Sequence, residues 1–321
     1  MRILTAKDVR RALTMIEAIE AVRGGFVALS TGRARVPLRG VLDLAGSATL
    51  TMPAHVEGSP ISCVKVVSVY PANQEKGIPT INAALLVVDA DTGVPLALLE
   101  GASVTALRTG AASGLATELL ARPDAATLAI LGAGVQARTQ AEAVCAVRPI
   151  AEIRVYSPNT AAAFADELRQ RYEARVIVAA SAHIAMEGAD VVVAATTSRT
   201  PVIYARDLSP GAHVNAVGSF QPHVQEIAAD VMISARVVLD HRESAWAESG
   251  DLIIPRDQGL LSESPPMPEL GEVAAGLVEG RRSPEEVVLF KSVGNAVQDA
   301  VVAERIVARA VEQGLGTVVE L

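Results

Sequence analysis

Aromatic side chains are scarce in this chain of 321 residues: one Trp, four Tyr and four Phe make up 3% of it. Ala, Val, Leu and Ile must therefore fill its core, and a surface that stacks nucleic-acid bases is argued against. Cysteine is as thin. Cys63 and Cys145 are the only two, both in apolar stretches, too few for a disulfide framework or a zinc site; they read as buried thiols. Positive charge is in deficit, the formal net charge being −8, so the basic footprint of a nucleic-acid or anionic-membrane binder is missing. Apolar runs such as residues 85–88 are far too short to cross a bilayer. The opening stretch MRILTAKDVRRALT has no apolar segment of the signal-peptide kind. These absences predict a protein of the reducing cytoplasm, with neither nucleic acid nor membrane as partner.

What is present is length and aliphatic bulk. Hydrophobic residues reach 50% and charged residues 20%, enough for two domains rather than one core. Residues 14–29 carry Ile16, Ile19, Ala21, Val22, Phe26 and Leu29 at helical spacing, ended by Gly32. From about residue 36 to 99, short β-rich runs (41–44, 49–53, 61–70, 81–89 and 95–100) alternate with turn formers. They predict a mostly antiparallel sheet and an α+β domain. An Ala-rich helix over 102–121 leads onward. Strands at 127–131, 152–156, 175–179, 190–195, 213–217, 236–239 and 287–291 then alternate with helices at 135–147, 160–172 and near Ile184. That alternation predicts a parallel sheet covered on both faces, and residues 295–312 a helix returning to the first domain. The expected fold class is α/β: a Rossmann dinucleotide-binding domain over 116–299, and an α+β substrate-binding and dimerisation domain over 1–115 with 300–321.

The strongest local signal is Leu131-Gly132-Ala133-Gly134-Val135-Gln136-Ala137, which follows an apolar strand and opens a helix, the context this glycine motif needs. Gly132 permits the tight turn, Gly134 lets backbone approach a pyrophosphate, and Ala137 still allows close helix–strand packing. The helix N-terminus offers unpaired N–H groups to the phosphates. Gly132, Gly134, Val135 and Gln136 are thus candidate cofactor contacts. The second strand ends in Tyr156-Ser157-Pro158-Asn159. It carries no acidic residue for the ribose hydroxyls of NAD, and Pro158 stands where an arginine for a 2′-phosphate is expected. Ser157 and Asn159 can bond either group, or the run is simply a turn. NADP(H) is favoured, with NAD(H) possible.

Three cations stand among apolar or small residues in the first domain: Arg39, Lys65 and Arg108. Alternation puts Lys65 on one strand face with Cys63 and Val67, where a lysine is costly unless paired or facing a cleft. Singly, each suits a solvated or paired side chain; together, beside a dinucleotide domain, they suggest a site for an anionic substrate. The five histidines show no metal-ligand spacing, so metal-free hydride chemistry is the simplest expectation.

These residues, taken in order, resemble the ornithine cyclodeaminase/mu-crystallin family. The resemblance runs through Met52-Pro53-Ala54-His55, Lys65-Val66-Val67-Ser68, Pro71-Ala72-Asn73, Gly77-Ile78-Pro79-Thr80 and Asp91-Thr92-Gly93. It continues through Thr105-Ala106-Leu107-Arg108-Thr109-Gly110, the glycine motif, Ala195-Thr196-Thr197-Ser198 and Ala216-Val217-Gly218-Ser219. Glu248-Ser249-Gly250-Asp251 and Phe290-Lys291-Ser292-Val293-Gly294 close it. It implies a homodimer joined through the first domain's sheet and an active site between domains. Arg39, Lys65 and Arg108 would hold a substrate α-carboxylate, with Met52 and Thr80 lining the site. Arg108 and Thr109 would approach the cofactor phosphates, Thr196, Thr197, Ser198, Val217 and Gly218 would lie beside adenosine or nicotinamide, and Lys291 near the cofactor.

One departure sets the expected activity. Cyclodeaminases and similar alanine dehydrogenases carry an aspartate shortly after the Val-Gly pair; here Val217-Gly218-Ser219-Phe220 places Phe220 there, and a phenyl ring cannot take a proton. The resemblance is therefore to the ketimine reductases. The expected reaction is NAD(P)H-dependent reduction of a cyclic ketimine carboxylate, such as Δ1-pyrroline-2-carboxylate to L-proline. Lys65 and Arg108 are the expected catalytic residues, and Phe220 a wall for the ring. Alternatives are a deaminating enzyme with Glu226 or His223 as base, and a non-catalytic NADPH-binding protein of the mu-crystallin kind.

Overall fold

The computed structural model describes residues 1–320. The chain divides into two units, one of Met1–Arg108 together with Asn295 onward, the other of Thr109–Gly294. The first begins with β1 (Arg2–Leu4), α1 (Ala6–Ala12) and α2 (Met15–Ser30). Thr14 starts α2 where the sequence expects it, because its hydroxyl accepts the Glu17 N–H while the Glu17 carboxylate accepts the Thr14 N–H at 2.9 Å, a reciprocal cap. Gly32, at φ +74°, turns the chain out of it. There follow β2 (Ala34–Arg35), β3 (Gly40–Asp43), β4 (Ala48–Val56), β5 (Ile61–Val69), β6 (Ile81–Asp89) and β7 (Pro95–Glu100). Helix α3 (Gly101–Leu120) carries the chain past the division at Arg108. Being one uninterrupted helix, it gives the sequence no break there, which is why the expected boundary lay further on, at 115.

The second unit continues with β8 (Thr127–Leu131), α4 (Val135–Val147), β9 (Glu152–Tyr156), α5 (Ala161–Arg171), β10 (Arg175–Val178), α6 (Ala182–Met186), β11 (Val191–Ala194) and β12 (His213–Ala216). It closes with α7 (Ala229–Ser234), β13 (Arg236–Leu239), α8 (Arg242–Glu248), α9 (Gly250–Asp257), α10 (Leu270–Ala274) and β14 (Val288–Lys291). Its sheet runs β10-β9-β8-β11-β12-β14-β13 with every pairing parallel. The order reverses beside β8, the switch point at which open α/β sheets bind ligands. Both faces are covered. Ala137, Ala141, Val144, Phe164 and Leu168 pack on one side, and Met186, Val231, Met232, Ala245 and Leu252 on the other. This explains why β11 is apolar throughout, and β8 from Leu128 on, rather than alternating.

The chain ends in α11 (Ala296–Glu312) and β15 (Thr317–Val318), which belong to the first unit. That unit's sheet runs β15-β1-β7-β6-β5-β4-β2, with β3 on β4. It is antiparallel except where β1 pairs with β7. Sequence reasoning missed β1 and β15 because strands of three and two residues carry no periodicity. Helices α2 and α11 pack over β4 and β5. The opposite sheet face presents Thr51, Val66 and Ala84 in one cross-strand row and Pro53, Val64 and Leu86 in the next. No helix of the described residues is long and apolar enough to cross a membrane. Cys63 is buried as expected, while Cys145 is only half-buried at the rim of the α4 core.

Candidate active site

Strand alternation turns Lys65 into the core of the first unit, cross-strand from Met52 on β4 and Leu85 on β6. At 1% exposure, its ammonium needs a counter-charge. Asp299, in the first turn of α11 and fully buried, supplies one at 2.6 Å. The second Asp299 oxygen lies 3.3 Å from Nε of Arg108, which reaches in from α3 at 6% exposure. Arg108 Nη1 donates to Oε1 of Gln298 at 2.7 Å. Burial pulls the Lys65 amine down to about 8; the Asp299 charge and hydrogen bond resist, while Arg108 and Arg39 add to the fall.

Arg39 sits in the irregular stretch just before β3, half-buried, with its charge felt at Lys65. Thr80 stands half-buried at the entry to β6, its carbonyl accepting the Tyr70 N–H, outside this network. The structure thus gathers Lys65, Arg108, Arg39 and Met52. It adds two residues that sequence reasoning missed, Gln298 and Asp299. Their signal was available: two adjacent polar residues in the first turn of an otherwise apolar helix face.

In the second unit the glycine turn fits a dinucleotide. Gly132 takes φ +107°, and a Cβ there would stand 2.3 Å from the Ala195 carbonyl oxygen. The tight turn is therefore also where the ends of β8 and β11 close together. Gly134 is the N-cap of α4 with no side-chain cap, and a Cβ on it would meet nothing within 4 Å. This leaves open space beside unpaired helix N–H groups, the cradle that a pyrophosphate needs. Val135 is 66% exposed and Gln136 half-buried on the same first turn. Arg138 braces the loop, donating to the Ala133 and Gly134 carbonyls at 2.7 and 3.0 Å and to both oxygens of Glu167. At the end of β9 the Ser157 and Thr160 hydroxyls are 2.9 Å apart, and Asn159 is exposed. Thr109 is buried, with its carbonyl accepting from Gln140 at 3.3 Å.

The ends of β11 and β12 are held by carboxylates. Glu226, fully buried, accepts the Thr196 N–H at 2.8 Å, the Thr196 hydroxyl at 2.7 Å and the Gly218 N–H at 2.9 Å. Gly218 must lack a side chain, since a Cβ would fall 2.3 Å from Glu226 Oε1. Asp251 in turn accepts the Glu226 and Ile227 N–H groups at 2.6 and 2.9 Å. Lys291 lies 2.6 Å from Asp251 Oδ2 and donates to the Ser219 carbonyl at 2.7 Å. Burial pushes the Glu226 carboxyl up, against the pull of Lys291 and of the Thr196 donors. Asp240 staples the end of β13 to the turn before α11, accepting from His241 N, Ser292 Oγ and Gly294 N.

Around these ends Val217, Ser198 and Phe220 are half-buried and Thr197 is exposed. Two sequence expectations change. Lys291 is fully buried, its amine spent on Asp251 and Ser219, so it shapes the loop that carries Phe220. Glu226 is spent on three donors and cannot serve as the base of a deaminase, while His223 is exposed.

The strand order and glycine turn define a Rossmann-class α/β protein with a separate α+β unit. The ornithine cyclodeaminase/mu-crystallin family model matches residues 1–314, and the chain belongs to that family. It is 41% identical over 325 residues, covering all of both chains, to a Delta(1)-pyrroline-2-carboxylate reductase of Bacillus cereus. Among solved structures it is similar to the Delta(1)-pyrroline-2-carboxylate reductase of Thermococcus litoralis in complex with NADH and L-proline. That similarity stands at 41% identity and TM-score 0.96, over 99% of this chain and 100% of that one. It is also similar to an archaeal alanine dehydrogenase dimer with bound NAD, at 32% identity and TM-score 0.95 over 100% and 99%.

Proposed function

We propose that this protein is a nicotinamide-dependent ketimine reductase that converts Δ1-pyrroline-2-carboxylate, or a ring closely like it, to the cyclic amino acid. The observation that carries the reading is the buried cluster of Lys65 and Arg108 on Asp299, with Arg39 beside it. Two cations share one buried carboxylate, which leaves the Lys65–Arg108–Asp299 cluster with a net charge of +1 where the substrate would bring its own carboxylate. Arg108 and Arg39 hold that carboxylate, and a guanidinium does so in two parallel bonds. The Gly132–Gln136 turn would hold the pyrophosphate of a reduced nicotinamide dinucleotide, and that coenzyme would supply the hydride for the imine carbon. Lys65 gives the imine nitrogen its proton, and its burial keeps bulk water from competing for it. Phe220, standing where related deaminases carry an aspartate, provides no base for attack by water, which favours imine reduction over deamination.

The rim after β9 carries Ser157, Pro158 and Asn159, all neutral. Without a carboxylate to repel a 2′-phosphate it favours NADPH and still admits NADH; the coenzymes of the two solved relatives make the second assay arm necessary. The bare face of the first unit's sheet, with Val66 42% exposed and Leu42 of β3 at 60%, is the surface we assign to a homodimer.

The test follows loss of reduced-nicotinamide absorbance with Δ1-pyrroline-2-carboxylate, Δ1-piperideine-2-carboxylate, pyruvate with ammonia, and ornithine, each with NADPH and NADH. Cyclic ketimines should turn over and ornithine should release no ammonia. Lys65→Met should lower kcat by about 10²–10⁴ and leave coenzyme affinity unchanged. Saturable coenzyme binding with no oxidation across the panel would instead mark a binding protein.

A further inference from the structure

We propose that Asp299 is the positioning residue of this site: one carboxylate oxygen seats the Lys65 ammonium, the other sits against Arg108, and Gln298 beside it sets the rotation of that guanidinium. The proposal rests on the reductase reading above and adds to it the group that decides how Lys65 is charged. Lys65 is reached from several elements. Arg108 comes from α3, Arg39 from the stretch before β3 and Asp299 from α11, and Cys63 shares its own strand. The cross-strand neighbours Met52 and Leu85 carry no charge. Two of these groups repel a proton on Lys65 and only Asp299 retains one. Its two oxygens serve different cations, at 2.6 and 3.3 Å, so a single buried carboxylate sets the distance between donor and carboxylate clamp.

The choice of Gln298 fits the same division of labour. A neutral amide oxygen at 2.7 Å orients the guanidinium without cancelling its charge, and that charge stays available to a substrate anion. The proton step balances simply. As the imine carbon gains hydride, a new N–H bond forms at the ring nitrogen from Lys65 Nζ–H. Lys65 is left neutral and regains its proton from solvent. The donor has to be acidic enough to release the proton and basic enough to hold it at neutral pH. Burial and the arginines enforce the first condition, Asp299 the second.

The experiment measures kcat and KM for Δ1-pyrroline-2-carboxylate across pH 5.5–9.5 in the wild type, Asp299→Asn, Asp299→Glu, Lys65→Met and the Lys65→Met/Asp299→Asn pair. Coenzyme binding and circular dichroism serve as controls. In Asp299→Asn the alkaline limb of the kcat profile should move to lower pH by about one unit or more, as expected for loss of an adjacent opposite charge. KM should rise as Arg108 loses its brace, and Asp299→Glu should recover part of both. In the Lys65→Met background, Asp299→Asn should change kcat less than twofold. A folded Asp299→Asn with the wild-type pH limb overturns the proposal, as does a further large fall in kcat in the double variant.

Should Asp299→Asn alone fail to fold, the double variant removes both buried charges together, and Asp299→Glu still reports the pH limb. An unshifted limb in Asp299→Glu with unchanged KM then counts against the proposal. A wild type that reduces no ketimine refutes the parent reading instead. In that case the alkaline limit of L-proline binding by calorimetry, shifted or unshifted in Asp299→Asn, decides the role of Asp299 by itself.

Discussion

The glycine turn makes two substitutions of equal size behave differently. Gly132→Ala puts a methyl group on a residue at φ +107°, 2.3 Å from the Ala195 carbonyl oxygen. A non-glycine residue in left-handed conformation costs about 1–2 kcal/mol, and overlap with backbone that cannot rotate away costs about 1–3 kcal/mol more. The fold should lose about 2–5 kcal/mol, a fall in Tm of roughly 4–20 °C for a unit of this size. Gly134→Ala meets nothing within 4 Å at an ordinary φ of −84°. Its only structural cost is a poorer N-cap, about 1 kcal/mol. Its methyl group occupies the space in which a pyrophosphate would approach the α4 N–H groups. Loss of one charge-assisted hydrogen bond, about 1.5–3 kcal/mol, weakens binding about tenfold or more. Melting curves without coenzyme and calorimetric NADPH and NADH titrations separate the two. Gly132→Ala should melt early, and Gly134→Ala should melt near the wild type yet bind weakly. Wild-type affinity in Gly134→Ala, or a wild-type Tm in Gly132→Ala, would refute the assignment of the turn.

Two further perturbations test other parts of the structure. His213 is fully buried and burial brings its pKa down to about 3, so the unfolded chain binds a proton between pH 6.5 and 3 that the folded chain does not. Stability is therefore lost as pH falls through that window, by about 2 kcal/mol at pH 5; urea titrations at pH 7.5 and 5 should show His213→Asn losing less than the wild type. Val66→Lys adds a charge at the centre of the bare sheet face and should turn a dimer into monomers by analytical ultracentrifugation, with circular dichroism unchanged; a dimer that survives would move the interface elsewhere.

Much of this architecture was legible because its signals are local. Residues 127–131, 135–147, 152–156 and 236–239 were bounded from periodicity and turn chemistry alone, since apolar strands between amphipathic helices admit few other readings. Lys65 stood out because a lysine in an apolar strand is costly to bury. Asp299 offered only the weaker signal of a polar residue on an apolar helix face, and its pairing with Lys65, 234 positions away, leaves no local trace. The same holds for Glu226. As a sequence feature it was a spare acid available to a base; in the fold its oxygens hold the Thr196 and Gly218 backbone. The backbone closeness of Gly132 to Ala195 was equally out of reach, although the glycine itself was not. Helices α8, α9 and α10 were missed because they are short, and α8 and α9 begin without side-chain caps.

The two buried charge networks differ in what they leave unfinished. Around β11 and β12, Glu226 is fully occupied by the loops it holds, and Lys291 balances one of the two carboxylates; nothing there calls for an anion. Around β5 the balance is positive, Nε2 of Gln298 is a buried donor with no hydrogen-bond partner, and Nε of Arg108 meets Asp299 only as an ion pair at 3.3 Å without hydrogen-bond geometry. An unpaired buried donor costs about 1–3 kcal/mol, a cost a carboxylate ligand would relieve on binding. L-Proline or pyrrole-2-carboxylate should therefore raise the Tm with no coenzyme present, by an amount that grows with ligand concentration and falls with added salt. L-Prolinamide, of the same shape but without the negative charge, should not. Stabilisation by prolinamide equal to that by proline would mean that the ring is recognised and the acid group is not. The positive cluster would then be a structural ion pair with no part in binding.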